Sequence, residues 1–159
     1  MTEKRGLEKI KTIGDCYMVA GGISLPRPDH AEASAELALD MQEEIGRFNQ
    51  QYNTSVRIRI GVCTGPLVAG VIGRKRFAYD LWGETVNLAC RLESTGAAGK
   101  TQIAESTHEW LKNTYQFAPK HSVDGMGHGH LSAYWLDKRT RHPDAIQTKI
   151  LDVTKINMS

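Results

Sequence analysis

The pattern that most limits the fold is one long apolar stripe set among short alternating stretches. Ala33, Leu37, Met41, Ile45 and Phe48 recur at three- and four-residue spacing behind Asp29, which predicts a helix over residues 30–50 capped by Asp29. Such a stripe faces a sheet, and the flanking sequence supplies strands for it. Residues 7–23 read as two short strands meeting at Gly14-Asp15, a turn where glycine takes positive φ at little cost. Val56, Ile58 and Ile60 alternate with Arg57 and Arg59, the period-two signature of a strand with one wet face, continuing into residues 61–66. Residues 68–72 and 77–82 flank Arg74-Lys75-Arg76, which predicts a hairpin with a basic tip.

Further along, Val86, Leu88, Ala89 and Leu92 predict a helix from Thr85 that ends before Gly96. A short strand over 101–104 follows. Ser106 and Glu109 have capping-box spacing and start a helix through Trp110, Leu111 and Tyr115, and residues 131–136 close with a strand. This alternation predicts an α+β fold, with helices against a mostly antiparallel sheet, over residues 1–136; residues 137–159 lose apolar density and read as a tail or linker.

The 159 residues fit one domain able to bury a core without disulfide or metal staples. A formal net charge of +2 carries no basic or acidic excess, so neither a nucleic-acid nor a membrane-surface partner is expected. No stretch approaches the roughly 18 apolar residues of a membrane span, so direct membrane insertion by this segment is not expected either. Cys16, Cys63 and Cys90 are odd in number and lack CxxC spacing, which points to buried thiols in a reducing compartment and a cytoplasmic location.

Chemistry concentrates in two segments, residues 11–18 (Lys-Thr-Ile-Gly-Asp-Cys-Tyr-Met) and residues 79–94, which begin Tyr-Asp-Leu-Trp-Gly-Glu-Thr-Val-Asn and continue to Arg91. Taken singly, Asp15 is a turn residue, Lys11 a solvated strand lysine and Arg91 an exposed helix charge. Asn87 and Arg91 are four apart and share one helix face. Read in order, with Gly61-Val-Cys-Thr-Gly65-Pro and Ala69-Gly-Val-Ile-Gly73 between them, these segments resemble the catalytic domain of the class III adenylyl cyclases, the family that also holds the guanylyl cyclases.

The resemblance implies a ferredoxin-like cyclase fold working as a head-to-tail dimer, homodimeric or with another cyclase domain, with ATP across the interface. It implies that Lys11 and Asp80 read the purine, an ammonium donating to adenine N1 and a carboxylate accepting from the N6 amino group. Guanylyl cyclases typically carry Glu and Cys at those two positions. Asn87 and Arg91 resemble the family's pair that orients the ribose and meets charge on the α-phosphate, and Asp15 resembles one of two aspartates that hold two Mg²⁺ or Mn²⁺ ions. Lys75 matches a cation near the triphosphate and equally suits a solvated loop tip.

Two departures accompany the likeness. The family's first strand, of the Phe-x-Asp-Ile type with the other metal aspartate, and two helices have no counterpart ahead of Lys11, so the chain alone is expected to show little or no turnover. Aligning residues 134–136 also puts His128 where the family commonly has a triphosphate-binding lysine, and an imidazole is only partly charged at neutral pH. The reading is therefore an adenylate cyclase domain, with a non-catalytic nucleotide-binding and dimerisation module as the alternative and a guanylate cyclase as the third.

Overall fold

The computed structural model describes residues 2–124, 129–140 and 157–158. A 3₁₀ turn (Glu3–Arg5) leads into strands β1 (Glu8–Ile13) and β2 (Cys16–Gly21), helix α1 (His30–Tyr52), and strands β3 (Ile60–Val62), β4 (Val68–Ile72) and β5 (Ala78–Trp82). Helix α2 (Glu84–Thr95), β6 (Thr101–Ala104), α3 (Glu105–Leu111), β7 (Tyr115–Phe117), β8 (His121–Asp124), β9 (His130–Arg139) and β10 (Asn157–Met158) complete the described chain. The architecture is α+β, as the alternating pattern predicts.

The strands form three groups. β1 and β2 make an antiparallel hairpin closed by the Gly14-Asp15 turn, and β10 pairs with the far end of β2 at Ala20 and Gly21. β4 and β5 make a second hairpin, with residues 74–76 at its tip. A five-stranded sheet runs β3-β6-β9-β7, with β8 also on β9. Its one parallel pair is β3 with β6. The connection between them carries the β4–β5 hairpin and α2, the long crossover that a parallel pair requires.

Helices cover both faces of this sheet, because neighbouring residues of one strand point opposite ways. Ile103 joins a core with Ala31, Ala35, Leu111 and Leu136, which belongs to α1 and α3. Ala104 joins Val86, Ala89, Leu92 and Ala133, which belongs to α2. The second contact is unusually close. A Cβ on Gly61 of β3 would lie 2.3 Å from the Ala89 carbonyl oxygen and 2.4 Å from the Glu93 nitrogen, so only glycine lets α2 rest on the strand's backbone.

Several expectations need correction. Only Ile60 of the alternating 56–60 stretch is in a strand. Asn49 instead satisfies Val56 locally: its side-chain amide donates to the Val56 carbonyl at 2.7 Å, and its oxygen accepts the Val56 N–H at 2.9 Å. The supposed capping box does not cap, since β6 runs straight into α3 at Glu105 and Ser106 Oγ lies 3.9 Å from Cys63 Sγ. Tyr115 starts β7 rather than ending a helix. Asp29 stands at the head of α1, but its carboxylate accepts Arg27 Nε at 2.9 Å and Nη2 at 2.6 Å instead of capping the helix.

The apolar stripe of α1 is buried at Ala33 and Leu37 and half-buried at Met41 and Ile45, and it surfaces at Phe48. Alongside that stripe α1 is fastened by charge. Arg139 Nε donates to both oxygens of Glu36 at 2.9 Å, and its Nη2 reaches Asp40, also at 2.9 Å. Arg5 meets the same two carboxylates, and the Tyr115 hydroxyl donates to Glu36 at 2.8 Å. Burial, then the Glu36 bond, push that phenol well above its usual range. β9 thus extends through Arg139, past Leu136 where the sequence pattern ends it. The rest of the expected tail falls on 141–156 and 159, outside the described residues, apart from β10.

Candidate active site

The two hairpins bring together a pair 69 residues apart in sequence. Lys11 Nζ on β1 donates to Asp80 Oδ2 on β5 at 2.6 Å. The β1–β2 register slips between Lys9 and Lys11, so the strand bulges at Ile10 and re-aims the side chains that follow. The other Asp80 oxygen accepts the Leu81 N–H at 2.8 Å. With the Lys11 bond as the main cause, the Asp80 carboxyl is held below the ordinary carboxylate range. Both side chains are partly exposed, 34% and 17%, leaving the pair open to a ligand.

Helix α2 starts beside this pair. Gly83, at φ 132° and ψ 173°, holds a backbone conformation that only glycine adopts readily, and its carbonyl accepts the Val86 and Asn87 N–H groups at 3.1 and 3.2 Å. That fixes the first turn and places Asn87 in solvent, with Arg91 one turn further along. Burial first, then Glu93, push the Cys90 thiol up, and the Lys11 charge opposes the rise. Arg91 itself turns toward β8, donating from Nε to the Asp124 carbonyl at 2.7 Å and from Nη2 to the Asp124 carboxylate at 3.1 Å.

Asp15 is exposed on the β1–β2 turn. It stands at a cavity of about 640 Å³ between Cys16–Val19 on β2 and the β3 segment, with Leu37 and Met41 of α1 and Cys90 and Glu93 of α2 in its wall. Lys11, Asp80, Asn87 and Arg91 do not line it, so the space lies beside the nucleotide-type residues rather than among them. Among the described residues, β3 pairs only with β6, and Cys16–Val19 pair only with β1. Asp15 can give one carboxylate to a divalent ion. No group of three His, Cys, Asp or Glu side chains suited to a metal gathers among the described residues, so these side chains do not complete a two-ion site by themselves.

Lys75 is exposed at the tip of the β4–β5 hairpin, and no described contact joins it to the other candidates within the protomer. His128 lies outside the described residues. Sequence reasoning missed Asp124, whose link to Arg91 spans 33 positions and leaves no local pattern. It also missed the surface of the β4–β5 hairpin. Val68, Val71, Ile72, Phe77, Tyr79 and Trp82 are all exposed there, with Val68, Ile72 and Trp82 on one face of the hairpin and Val71 and Tyr79 on the other.

The family model of the adenylate and guanylate cyclase catalytic domain matches residues 1–138. The chain belongs to this family. It is 40% identical over 136 residues to an adenylate cyclase of Mycobacterium tuberculosis, covering 86% of this chain and 31% of the relative. It is 36% identical over 140 residues to the guanylate cyclase soluble subunit beta-2 of Rattus norvegicus, covering 86% of this chain and 20% of that one. The chain thus spans under a third of these relatives' lengths. Among solved structures, the guanylate cyclase domain of RhGC from Catenaria anguillulae, in complex with GTP, superposes with a TM-score of 0.80 at 37% identity, covering 87% of this chain and 76% of that chain.

These likenesses make the fold a cyclase catalytic domain, a lyase fold, without deciding between adenine and guanine. Among the described residues no helix of this cyclase-family chain is long and apolar enough to cross a membrane.

Proposed function

We propose that the chain is the catalytic module of an adenylate cyclase, converting ATP to 3′,5′-cyclic AMP and pyrophosphate at an interface with a second cyclase domain. The observation that carries the reading is the Lys11–Asp80 pair at 2.6 Å. An ammonium and a carboxylate side by side present one donor and one acceptor, matching adenine N1 and its N6 amino group. Guanine offers N1–H and O6 there, the reverse order. A bidentate polar reading of a base discriminates by about 1–3 kcal/mol, and by more where the wrong base leaves groups unpaired.

On α2, Asn87 would orient the ribose, and Arg91 would meet the charge gathering on the α-phosphate with a planar, permanently charged fork. The ribose 3′-hydroxyl forms a bond to the α-phosphorus as the bond to the bridging pyrophosphate oxygen breaks, and its proton leaves to solvent. Mg²⁺ or Mn²⁺ ions, when bound, supply charge neutralisation at the phosphates and a more acidic 3′-hydroxyl. Asp15 would be one ligand. The protein's share is positioning and electrostatic stabilisation. The exposed apolar side chains of the β4–β5 hairpin support assembly with a second domain, and the exposed Lys75 at its tip would serve that assembled site, near the triphosphate. His128 would contribute there only in its protonated form.

A second reading, a nucleotide-binding module without turnover, is favoured by the single carboxylate that Asp15 brings. Mixing separates the two. The purified chain is combined with a cyclase domain that keeps both metal aspartates but lacks the equivalents of Asn87 and Arg91. Cyclic AMP formed by the mixture supports the enzymatic reading; nucleotide binding without product supports the module.

A further inference from the structure

The guanidinium assigned to the α-phosphate already holds an anion in the protomer. Arg91 gives its Nε–H to the Asp124 carbonyl at 2.7 Å and an Nη2–H to the Asp124 carboxylate at 3.1 Å, so one whole edge of its fork is engaged by a single residue. Asp124 ends β8, and its backbone is fixed in register with His130 of β9, so the contact comes from a paired strand rather than a free loop. The two bonds differ in kind. The carbonyl contact survives any side chain at position 124, whereas the carboxylate contact is a charge pairing of the same geometry that a phosphate oxygen would make with the same edge.

We propose that Asp124 is a built-in competitor for substrate phosphate: its carbonyl positions Arg91, and its carboxylate occupies the edge of the fork that the phosphate must take. The inference rests on the reading of Arg91 as the phosphate residue. Exposure sets the strength of the competition. The Arg91 side chain is 25% exposed and that of Asp124 73%, so water screens the pair and a triphosphate can displace it. Asp124 is then a positioning residue through its backbone and a brake through its charge. It holds the guanidinium neutralised until an anion of higher charge arrives.

The test uses inorganic tripolyphosphate and the chain combined with the complementing cyclase domain, which lacks its own equivalent of Arg91, with affinity measured by calorimetry for wild type, Asp124→Asn, Arg91→Ala and the double variant. Asn keeps the size and the backbone and removes only the charge. Asp124→Asn is expected to tighten tripolyphosphate binding by about two- to fivefold, the scale of an exposed ion pair, and to have no effect in the Arg91→Ala background. An unchanged or weaker affinity in a folded Asp124→Asn protein overturns the proposal. An equal gain with and without Arg91 also overturns it, since the effect is then net charge alone. If Arg91→Ala leaves wild-type binding untouched, or if no variant binds, the assignment of Arg91 to phosphate fails and the inference falls with it. Circular dichroism of each variant separates these outcomes from loss of fold.

Discussion

The five-stranded sheet and the two hairpins follow different rules. Between the sheet and its helices, Leu92 of α2, Ile103 of β6 and Leu111 of α3 are fully buried, and β6 and β9 are each paired along both edges. In the β4–β5 hairpin, by contrast, Phe77 is 77% and Val68 66% exposed, and on the β1–β2 hairpin Ile13 and Tyr17 also face out. Yet Lys11, Asp15, Lys75 and Asp80 all sit on the hairpins. Among the described candidates only Asn87 and Arg91 are on a packed element, α2, which bridges the two regions. On the proposed reading, stability and base recognition fall to separate parts of the molecule, and the hairpins' exposed apolar side chains suit contact with a second domain.

The contrast can be broken most directly by truncation in each region. Leu111→Ala, in the sheet's core, should lose about 2–5 kcal/mol in chemical denaturation. Phe77→Ser on the hairpin should change stability by less than about 0.5 kcal/mol. Equal losses would contradict the division.

The next largest effect lies where the regions join. Gly61→Ala drives a methyl into the Ala89 carbonyl and should cost about 1–3 kcal/mol. Because α2 would shift off β3, it should also disturb Arg91 without touching it, read as a change in tripolyphosphate affinity. A fully stable Gly61→Ala protein would mean that α2 does not rest on β3.

A smaller effect belongs to the hairpins alone. The Asp80 carboxyl is depressed in the folded chain, so its stabilising bond to Lys11 is fully present above the unfolded carboxylate value near pH 4 and is lost as pH falls through the lower folded value. Asp80→Asn should therefore flatten only the acid limb of the stability curve, by under about 1 kcal/mol. A difference between the proteins that does not shrink as the pH falls along the acid limb would count against this assignment.

The thiols give the finest comparison. Cys63 is buried in the sheet and pushed up to about 11 by that burial, while Cys90 is exposed on α2. Iodoacetamide at pH 8 should label Cys90 well before Cys63, as mass spectrometry of timed digests would show; equal rates would mean the sheet's core opens freely.

How legible each region was in the sequence follows the same line. Both hairpins and α2 could be read because their determinants are local: glycine at the corner, a polar tip, a period of two or of 3.6. β7 and β8 could not. They are three and four residues long, too short to show a period, carry Gln116, Ser122 and Asp124, and exist through pairing with β9. The 56–59 stretch misled for the opposite reason, as its alternation is genuine but Asn49 satisfies Val56 before any ladder can. At the site, motif order picked out Lys11 and Asp80, which the fold joins at 2.6 Å. The Arg91–Asp124 contact had no local signature, because only the three-dimensional meeting of α2 with β8 creates it.

The measurement that tests the account most directly is the cyclic nucleotide made by the complemented mixture from equal ATP and GTP, with wild-type chain and with Lys11→Glu. The account predicts mainly cyclic AMP from the wild type, and a preference reduced by roughly 5- to 150-fold in the variant. Cyclic GMP as the wild-type product, or the same preference in both, would contradict the reading of Lys11 and Asp80 as the adenine pair.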